Sequence, residues 1–250
     1  MTWENLLEDI DRVRQRLATA RRITLLTGAG VSAASGVPTF RGAGGLWKNR
    51  QAQQLATPEA FSQDPALVWE WYAWRRQVIA GCEPNAAHRT IARWSERPGF
   101  TLVTQNVDGL HERAGTRNVL RYHGSIWRLR CTAGCDAGDG HPAEWEDLRV
   151  PLDPLPPACP QCHALARPGV VWFGEAIPRE AAAQAAQAAA SSDVFLSIGT
   201  SAVVYPAAGL VAEARAHGAF TIEINPETTA SAVDVALAMP AEVALPLLDR

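Results

Sequence analysis

Residues 24–42 read TLLTGAGVSAASGVPTFRG. A short apolar strand, Ile23 to Leu26, runs into Gly28, Gly30 and Ala33, which satisfies the G-x-G-x-x-A pattern of a dinucleotide-binding turn. That pattern wants a long helix next and an acid about 20 residues on to hold a ribose. Here Gly36 and Pro38 interrupt the helix early. No Asp or Glu occurs from Arg12 to Pro58, while the same segment carries eight Lys or Arg and so tolerates a pyrophosphate. Residues 35–45, SGVPTFRGAGG, then read as a flexible loop able to close over a cofactor. Taken alone, the pattern equally fits a tight turn that packs a helix on a strand.

The rest of the chain continues the alternation that this strand begins. Candidate strands are Ile23–Leu26, Phe100–Thr104, Val119–Arg121, Val194–Ile198 and Phe220–Ile224. Candidate helices fill Glu4–Ala18, Pro65–Ala80, Ala86–Glu96, Pro178–Ala190 and Pro206–His217. Short apolar strands alternating with helices imply a parallel sheet covered on both faces. The pieces that follow the strands, TGAGVS, QNVDG, HGS, GTS and NPE, are polar or glycine-rich. They gather at the carboxyl edge, where open α/β sheets bind ligands. Strand Val194–Ile198, its turn and strand Phe220–Ile224 form a second βαβ unit ending at Asn225, 26 residues beyond Gly199. Asn225 therefore stands about where a ribose-binding side chain belongs.

The bulk numbers exclude several classes. At 250 residues the chain fits one large α/β domain, or one domain with a small insert. An apolar fraction of 47% suffices for a sizeable core. A net charge of −3 gives no electrostatic ground for nucleic-acid binding. The segment MTWENLLEDIDRVRQRL reads as an amphipathic helix, without the basic start and apolar stretch of a signal peptide. No run approaches the ~18 apolar residues needed to span a membrane. A soluble cytoplasmic protein, with no nucleic-acid or membrane partner, is the expectation.

Five cysteines stand at 82, 131, 135, 159 and 162. Cys131-x3-Cys135, then 23 residues, then Cys159-x2-Cys162 resembles a zinc ribbon. Four thiolates suit tetrahedral zinc and leave no open position, so the expected site is structural. His141 and His163 lie near in sequence, but four cysteines leave no need for them. Cys82, in GCEPNAAH, reads as an inert packed thiol.

Long motifs then occur in a fixed order: GAGVSAASGVPTFRG (28–42), TQNVDGLHERAG (104–115), HGS (123–125), the two cysteine pairs, VVWFGE (170–175), GTSAVVYPA (199–207) and EIN (223–225). This order resembles the sirtuin family of NAD-dependent protein deacylases over roughly residues 20–245. GVPTFRG and VVWFGE look like its class III branch, of bacterial type, which removes acidic acyl groups from lysine. Thr39 stands where many sirtuins outside that branch have Asp.

The resemblance implies a Rossmann-like doubly wound parallel α/β sheet with a small zinc-ribbon domain inserted. Residues 1–124 and 169–250 would form the NAD-binding domain, with a helical insert at about 40–85, and residues 125–168 the zinc-binding domain. It implies NAD as co-substrate and one structural Zn2+ on Cys131, Cys135, Cys159 and Cys162. The acyl oxygen attacks the nicotinamide-bearing ribose carbon, nicotinamide leaves, and a histidine acts as base on a ribose hydroxyl. By the same resemblance that base is His123. The implied NAD contacts are Gly28, Ala29, Gly30, Ser32, Phe40, Arg41 and Trp47 in the first turn and loop. Gln105, Asn106 and Asp108 follow, then Gly199, Thr200 and Ser201, and finally Asn225 and Ala241. Val170, Val171, Phe173 and Gly174 would meet an acylated protein substrate bound as an extended peptide.

Tyr72 and Arg75, three apart in VWEWYAWRRQVI, share a face if this segment is helical. A guanidinium grips a carboxylate with two hydrogen bonds and a phenol adds a third. In the class III branch this Tyr-x-x-Arg pair reads succinyl or malonyl carboxylates. Without that motif the segment reads as an aromatic helix with an exposed Arg. Arg76 should point elsewhere. Acetyl-lysine is not excluded, and a monomer is expected. ADP-ribosyl transfer to protein, a redox dehydrogenase and a zinc-ribbon interaction module are the competing functions.

Overall fold

In the computed structural model, residues 3–39, 46–48, 50–136, 138 and 143–249 are described. Phe40, Arg41 and His141 therefore lie outside the described residues. In chain order the elements begin α1 (Trp3–Thr19), β1 (Ile23–Thr27), α2 (Gly30–Ala33), β2 (Leu46–Trp47) and β3 (Arg50–Gln51). A helical stretch follows: α3 (Ala52–Leu55), α4 (Pro58–Gln63), α5 (Pro65–Ala80) and α6 (Ala86–Trp94). Then come β4 (Phe100–Thr104), α7 (Leu110–Arg113), β5 (Val119–Arg121), β6 (Gly124–Cys131), β7 (Glu144–Glu146) and β8 (Ala166–Val170). The chain closes with α8 (Arg179–Ser191), β9 (Val194–Ile198), α9 (Gly209–Ala216), β10 (Phe220–Ile224), β11 (Val235–Leu237) and α10 (Ala241–Leu248).

Six strands form one sheet in the order β11-β10-β9-β1-β4-β5, and every neighbouring pair is parallel. Successive side chains along a strand face opposite sides, and the core divides accordingly. Leu25, Leu102 and Leu196 join α1, α6 and α10 on one face. Leu26, Val103 and Phe195 join α8 and α9 on the other. The doubly wound parallel sheet is thus present. β11 and α10 were not foreseen: β11 has three residues, and Pro246 sits inside α10. α9 starts at Gly209 rather than Pro206, because residues 205–208 form a turn.

A second sheet, ordered β7-β6-β8, is antiparallel. Its Ile126, Leu129, Ala166 and Val170 pack with α5 residues Val68, Trp69, Trp71 and Tyr72. α5 begins where Pro65 sits in the first turn and the Asp64 carboxylate accepts from the Leu67 amide at 2.9 Å. α5 buries one face, carrying Val68, Trp69, Trp71, Tyr72, Arg75, Arg76 and Ile79, against the second sheet, while Ala66, Glu70, Gln77 and Ala80 on the other face are exposed. No described helix is long and apolar enough to cross a membrane.

Candidate active site

Both sheets meet around a cavity of about 420 Å³. Gly28, Ala29 and Gly30 line it after β1, Gln105, Asn106 and Asp108 after β4, and His123 after β5. Gly199, Thr200 and Ser201 line it after β9, and Asn225 after β10. Five strand ends of a parallel sheet therefore converge on one crevice, as the switch-point rule requires. Tyr72, Arg75, Val170, Val171, Phe173 and Gly174 close the opposite wall.

The broken first helix is real: α2 has four residues, and Gly36 follows at φ +88°. Gly28 and Gly30 are glycines because the two turns press together. A Cβ on Gly28 would stand 2.8 Å from the Gly199 oxygen, and one on Gly30 2.7 Å from the Gly199 Cα. Gly28 N–H donates to Ile198 O at 3.0 Å and Gly30 N–H to Gly199 O at 2.9 Å. Those two amides are committed to joining the turns, so neither is left to bind a phosphate.

Behind this cradle lies a buried polar network. Asn85 caps α6, and its own N–H donates to His88 Nδ1 at 3.3 Å. His88 is therefore protonated on Nε2, which donates to Ser32 Oγ at 3.4 Å. Ser32 in turn donates to Asp108 Oδ2 at 2.8 Å, and Leu110 N–H donates to Oδ1 at 2.8 Å. Burial pushes the Asp108 carboxyl up, against these two hydrogen bonds. Asn106 Nδ2 donates to Gly28 O at 3.0 Å and to Ser32 Oγ at 3.3 Å. Its amide is thereby fixed, with the carbonyl oxygen unpartnered among the described residues. Ser32 is fully buried and holds Asp108 from behind rather than lining the cavity.

His111 belongs to the same network. Thr27 Oγ1 donates to Thr104 Oγ1 at 2.8 Å, so it accepts from His111 Nε2 at 3.1 Å. Burial drives both His88 and His111 down to about 3, so both are neutral at pH 7. Neither histidine was singled out from sequence. His88 stands in the quoted GCEPNAAH, where only its cysteine was read.

His123 sits between the two walls. Its Nδ1 lies 3.3 Å from Gln105 O, an acceptor only, so Nδ1 carries the proton and Nε2 a free lone pair. Burial lowers its pKa below the ordinary imidazole value, and the Gln105 contact only partly opposes this. The arrangement supplies a neutral base at neutral pH.

On the opposite wall, Tyr72 and Arg75 are both buried, so the aromatic-helix reading with an exposed arginine does not hold. Arg75 lies 5.0 Å from the Trp71 ring and 5.7 Å from the Tyr72 ring. Arg76 points away, as expected: its guanidinium donates to Asp147 Oδ1 at 2.9 Å in a buried ion pair with the small module. Tyr72 is pushed up to about 12 by burial and stays protonated. Its hydroxyl accepts from Trp172 Nε1 at 2.9 Å, so Trp172 also forms part of this wall.

VVWFGE is a strand only as far as Val170. Beyond it, Val171 N–H donates to His123 O, Phe173 N–H to Ala56 O and Trp172 N–H to Glu175 Oε2. Among the described residues the Gly174 N–H has no partner. A peptide added here must therefore use Gly174 and the carbonyls, since the other three donors are occupied. Val203, Val204 and Tyr205 line the cavity from the GTSAVVYPA loop and were quoted without being assigned a role.

Two expected contacts stand elsewhere. Trp47 packs near Trp74, with ring centroids 6.4 Å apart, because its hairpin lies against α5. Ala241 opens α10 with its side chain in the sheet core, so only its backbone is left for a ligand.

The four paired cysteines gather at the end of the small module, with all four sulfurs within 4.8 Å of one another. Cys131 to Cys162 and Cys135 to Cys159 are each 3.5 Å apart. A tetrahedral ZnS4 centre with Zn–S of about 2.3 Å spaces its sulfurs about 3.8 Å apart, so the donor set fits. A disulfide would bring two sulfurs to about 2.05 Å, so these are thiols.

A family model described as the Sir2 family matches residues 28–206. The NAD-dependent protein deacylase of Aquifex aeolicus (strain VF5) is 50% identical over 208 residues, covering 83% of this chain and 84% of that protein. NAD-dependent protein deacylase 1 of Pseudomonas aeruginosa (strain PAO1) is 52% identical over 223 residues, covering 86% and 87% respectively. A solved structure described as a Sir2 homolog–NAD complex superposes with a TM-score of 0.87 at 42% identity, over 95% of this chain and 92% of that one. With a cavity at the sheet's carboxyl edge, a four-thiolate cluster and these identities, the chain belongs to the Sir2, or sirtuin, family.

Proposed function

We propose that this chain removes acyl groups from protein lysines in an NAD-dependent reaction that yields nicotinamide, O-acyl-ADP-ribose and free lysine, and that it accepts succinyl and malonyl as well as acetyl groups. One observation carries the reading: His123 stands in a single cavity between the strand-end turns on one side and the Tyr72–Arg75 pair on the other. Relatives at 50% and 52% identity bear the deacylase name, which supports the reaction class.

Bound NAD would supply a glycosidic bond whose cleavage activates the acyl group for transfer. The turns 28–30 and 199–201 would close on its phosphates, the Gly28, Gly30 and Gly199 N–H groups holding the turns in shape while Ala29, Thr200 and Ser201 meet the ligand, and Asn225 would meet its adenosine end. Asn106, with its free carbonyl oxygen, and Asp108 would meet the carboxamide, and Gln105 the ribose. His123 accepts a proton at Nε2 while Gln105 O holds Nδ1–H and fixes the ring. The acylated lysine would enter from a peptide lying between residues 173–175 and residues 203–205. Arg75 and Tyr72 would read a carboxylate at the end of the acyl chain. Cys131, Cys135, Cys159 and Cys162 would hold Zn2+, closing the module that carries β8 and leaving no open metal position. Residues 1–124 and 169–250 form the nucleotide-binding part in this reading, and residues 125–168 the metal-binding part.

The test incubates the purified protein with NAD and acetyl-, malonyl- or succinyl-lysine peptides and measures free lysine and O-acyl-ADP-ribose by mass spectrometry. Turnover should require NAD and fall at least about a hundredfold in His123→Ala, the worth of a general base. Turnover that persists without NAD would overturn the reaction class. Arg75→Met should weaken desuccinylation much more than deacetylation, and equal losses would remove Arg75 from its role.

A further inference from the structure

Tyr72 presents an asymmetry that its family role does not explain. A phenol has one proton, which lies near the ring plane in one of two positions. The Trp172 indole N–H is a donor only and reaches Tyr72 Oη at 2.9 Å. It therefore occupies an oxygen lone pair and blocks one of the two proton positions. The hydroxyl proton is left the other, and among the described residues no acceptor meets it there. Both side chains line the cavity, beside Arg75.

Trp172 is itself clamped. The Arg167 guanidinium lies 3.5 Å from its ring centroid. Arg167 is held by Glu175 through two hydrogen bonds of 2.6 and 2.8 Å. Glu175 Oε2 also accepts from the Trp172 backbone N–H at 2.8 Å. Burial would raise the Glu175 carboxyl, but Arg167 and that N–H outweigh it and hold the group ionised. The indole is fixed by stacking on one face and by its backbone, so its N–H direction is fixed too.

We propose that Trp172 is a specificity-determining positioning residue: its indole N–H, locked by Arg167 and Glu175, aims the Tyr72 hydroxyl proton into the cavity as a donor for the terminal carboxylate of a dicarboxylic acyl-lysine. The inference rests on the dicarboxylate reading given above. Arg75 supplies charge, and the Trp172–Tyr72 pair supplies direction. An acetyl group ends in a methyl and offers that proton no terminal acceptor, so the device favours longer acidic chains.

The test compares wild type, Trp172→Phe, Tyr72→Phe and the double variant, with succinyl- and acetyl-lysine peptides at saturating NAD. The ratio of kcat/KM for succinyl over acetyl should fall about tenfold in each single variant, the worth of one hydrogen bond to a charged group. The loss should appear in KM for the succinyl peptide, and the double variant should lose no more than either single one. Trp172→His, which keeps a ring N–H, should recover part of the ratio. Should Trp172→Phe fail to fold, Arg167→Met frees the indole without emptying its place and should lower the same ratio. Equal losses on both peptides, or independent losses that add in the double variant, would overturn the role of Trp172. Arg75→Met is measured alongside. If it lowers the ratio and Trp172→Phe does not, only the inference about Trp172 falls; if it leaves the ratio unchanged, the dicarboxylate reading falls and this inference with it.

Discussion

The six-stranded sheet and the three-stranded module form the two walls of one cleft, yet they hold their shapes by different means. The sheet buries β1, β9 and β10 at every position and packs helices on both faces. Each fully buried Leu or Ile there contributes about 1.5–3 kcal/mol. The module packs its near end on α5, but its far end has a described buried cluster of only Cys131, Ala143 and Cys159. Coordination must do there what apolar burial does in the sheet. The sheet side and the module side of the cleft should therefore fail under different insults.

The largest separation should come from metal removal. A structural zinc site contributes on the order of 10 kcal/mol to the fold it closes. Chelation, or Cys159→Ala, should unravel the far end of the module and expose it to proteolysis. Peptide turnover should be lost, because β8 leads directly into residues 171–175, which line the cavity. Dinucleotide affinity, measured by calorimetry, should survive far better. Full turnover in protein shown to be zinc-free by atomic absorption would mean that the module keeps its shape without the metal.

Acid should strike the other wall. His88 and His111 are held at about 3 by burial, against about 6.5 in an unfolded chain. A depressed histidine contributes stability that is fully present above its unfolded value and is lost as pH falls toward the folded one. Each should cost up to about 1.4 kcal/mol per pH unit below 6.5. Between pH 7 and 5, before ordinary carboxylates titrate, the urea midpoint should fall, and fall less steeply in His111→Gln. A flat midpoint over that range would remove the buried pair from the account.

Gly199→Ala should act more locally. Gly199 has φ +61°, and its new Cβ would stand 2.6 Å from Val31 N. The left-handed conformation alone costs about 1–2 kcal/mol for a non-glycine residue, and the clash forces the β1 and β9 turns apart. Dinucleotide KM should rise about tenfold or more, with a much smaller change in peptide KM. A variant that raises both equally would mean that the two walls are not independently built.

Legibility in the sequence followed the same division. In the sheet, Phe100–Thr104, Val119–Arg121, Val194–Ile198 and Phe220–Ile224 have the strand boundaries expected, because buried parallel strands read as apolar runs between turn residues. The missing ribose acid and broken helix were also legible, since Gly36 and Pro38 act locally. Hidden from sequence were the long-range partners. That Gly28 and Gly30 donate to the β9 end, or that His88 reaches Ser32 through an Asn85 cap, depends on residues 50 to 170 positions apart. VVWFGE misled in part: its residue types favour a strand, but Trp172 and Phe173 donate to Glu175 and Ala56 instead of a ladder. Arg75 and Arg76 are neighbours of one type, yet one stacks by Trp71 and Tyr72 in the cavity wall and the other pairs with Asp147 of the module, which only the packing of α5 on that module decides.

The smallest effect concerns the fifth cysteine, and it sharpens what distinguishes the two regions. Cys82 lies just past the end of α5, buried, with its thiol donating to Val78 O at 3.3 Å. Burial pushes its pKa up, so little thiolate is present to bind metal or react. It packs as a small apolar side chain, and Cys82→Ala should cost about 1 kcal/mol through the lost sulfur contacts. Zinc content should remain at one ion per chain and turnover should match wild type, whereas Cys159→Ala should lose the ion. If Cys82→Ala lowered the zinc content, the fifth thiol would belong with the coordinating four, and burial and coordination would no longer divide cleanly between the two parts of the molecule.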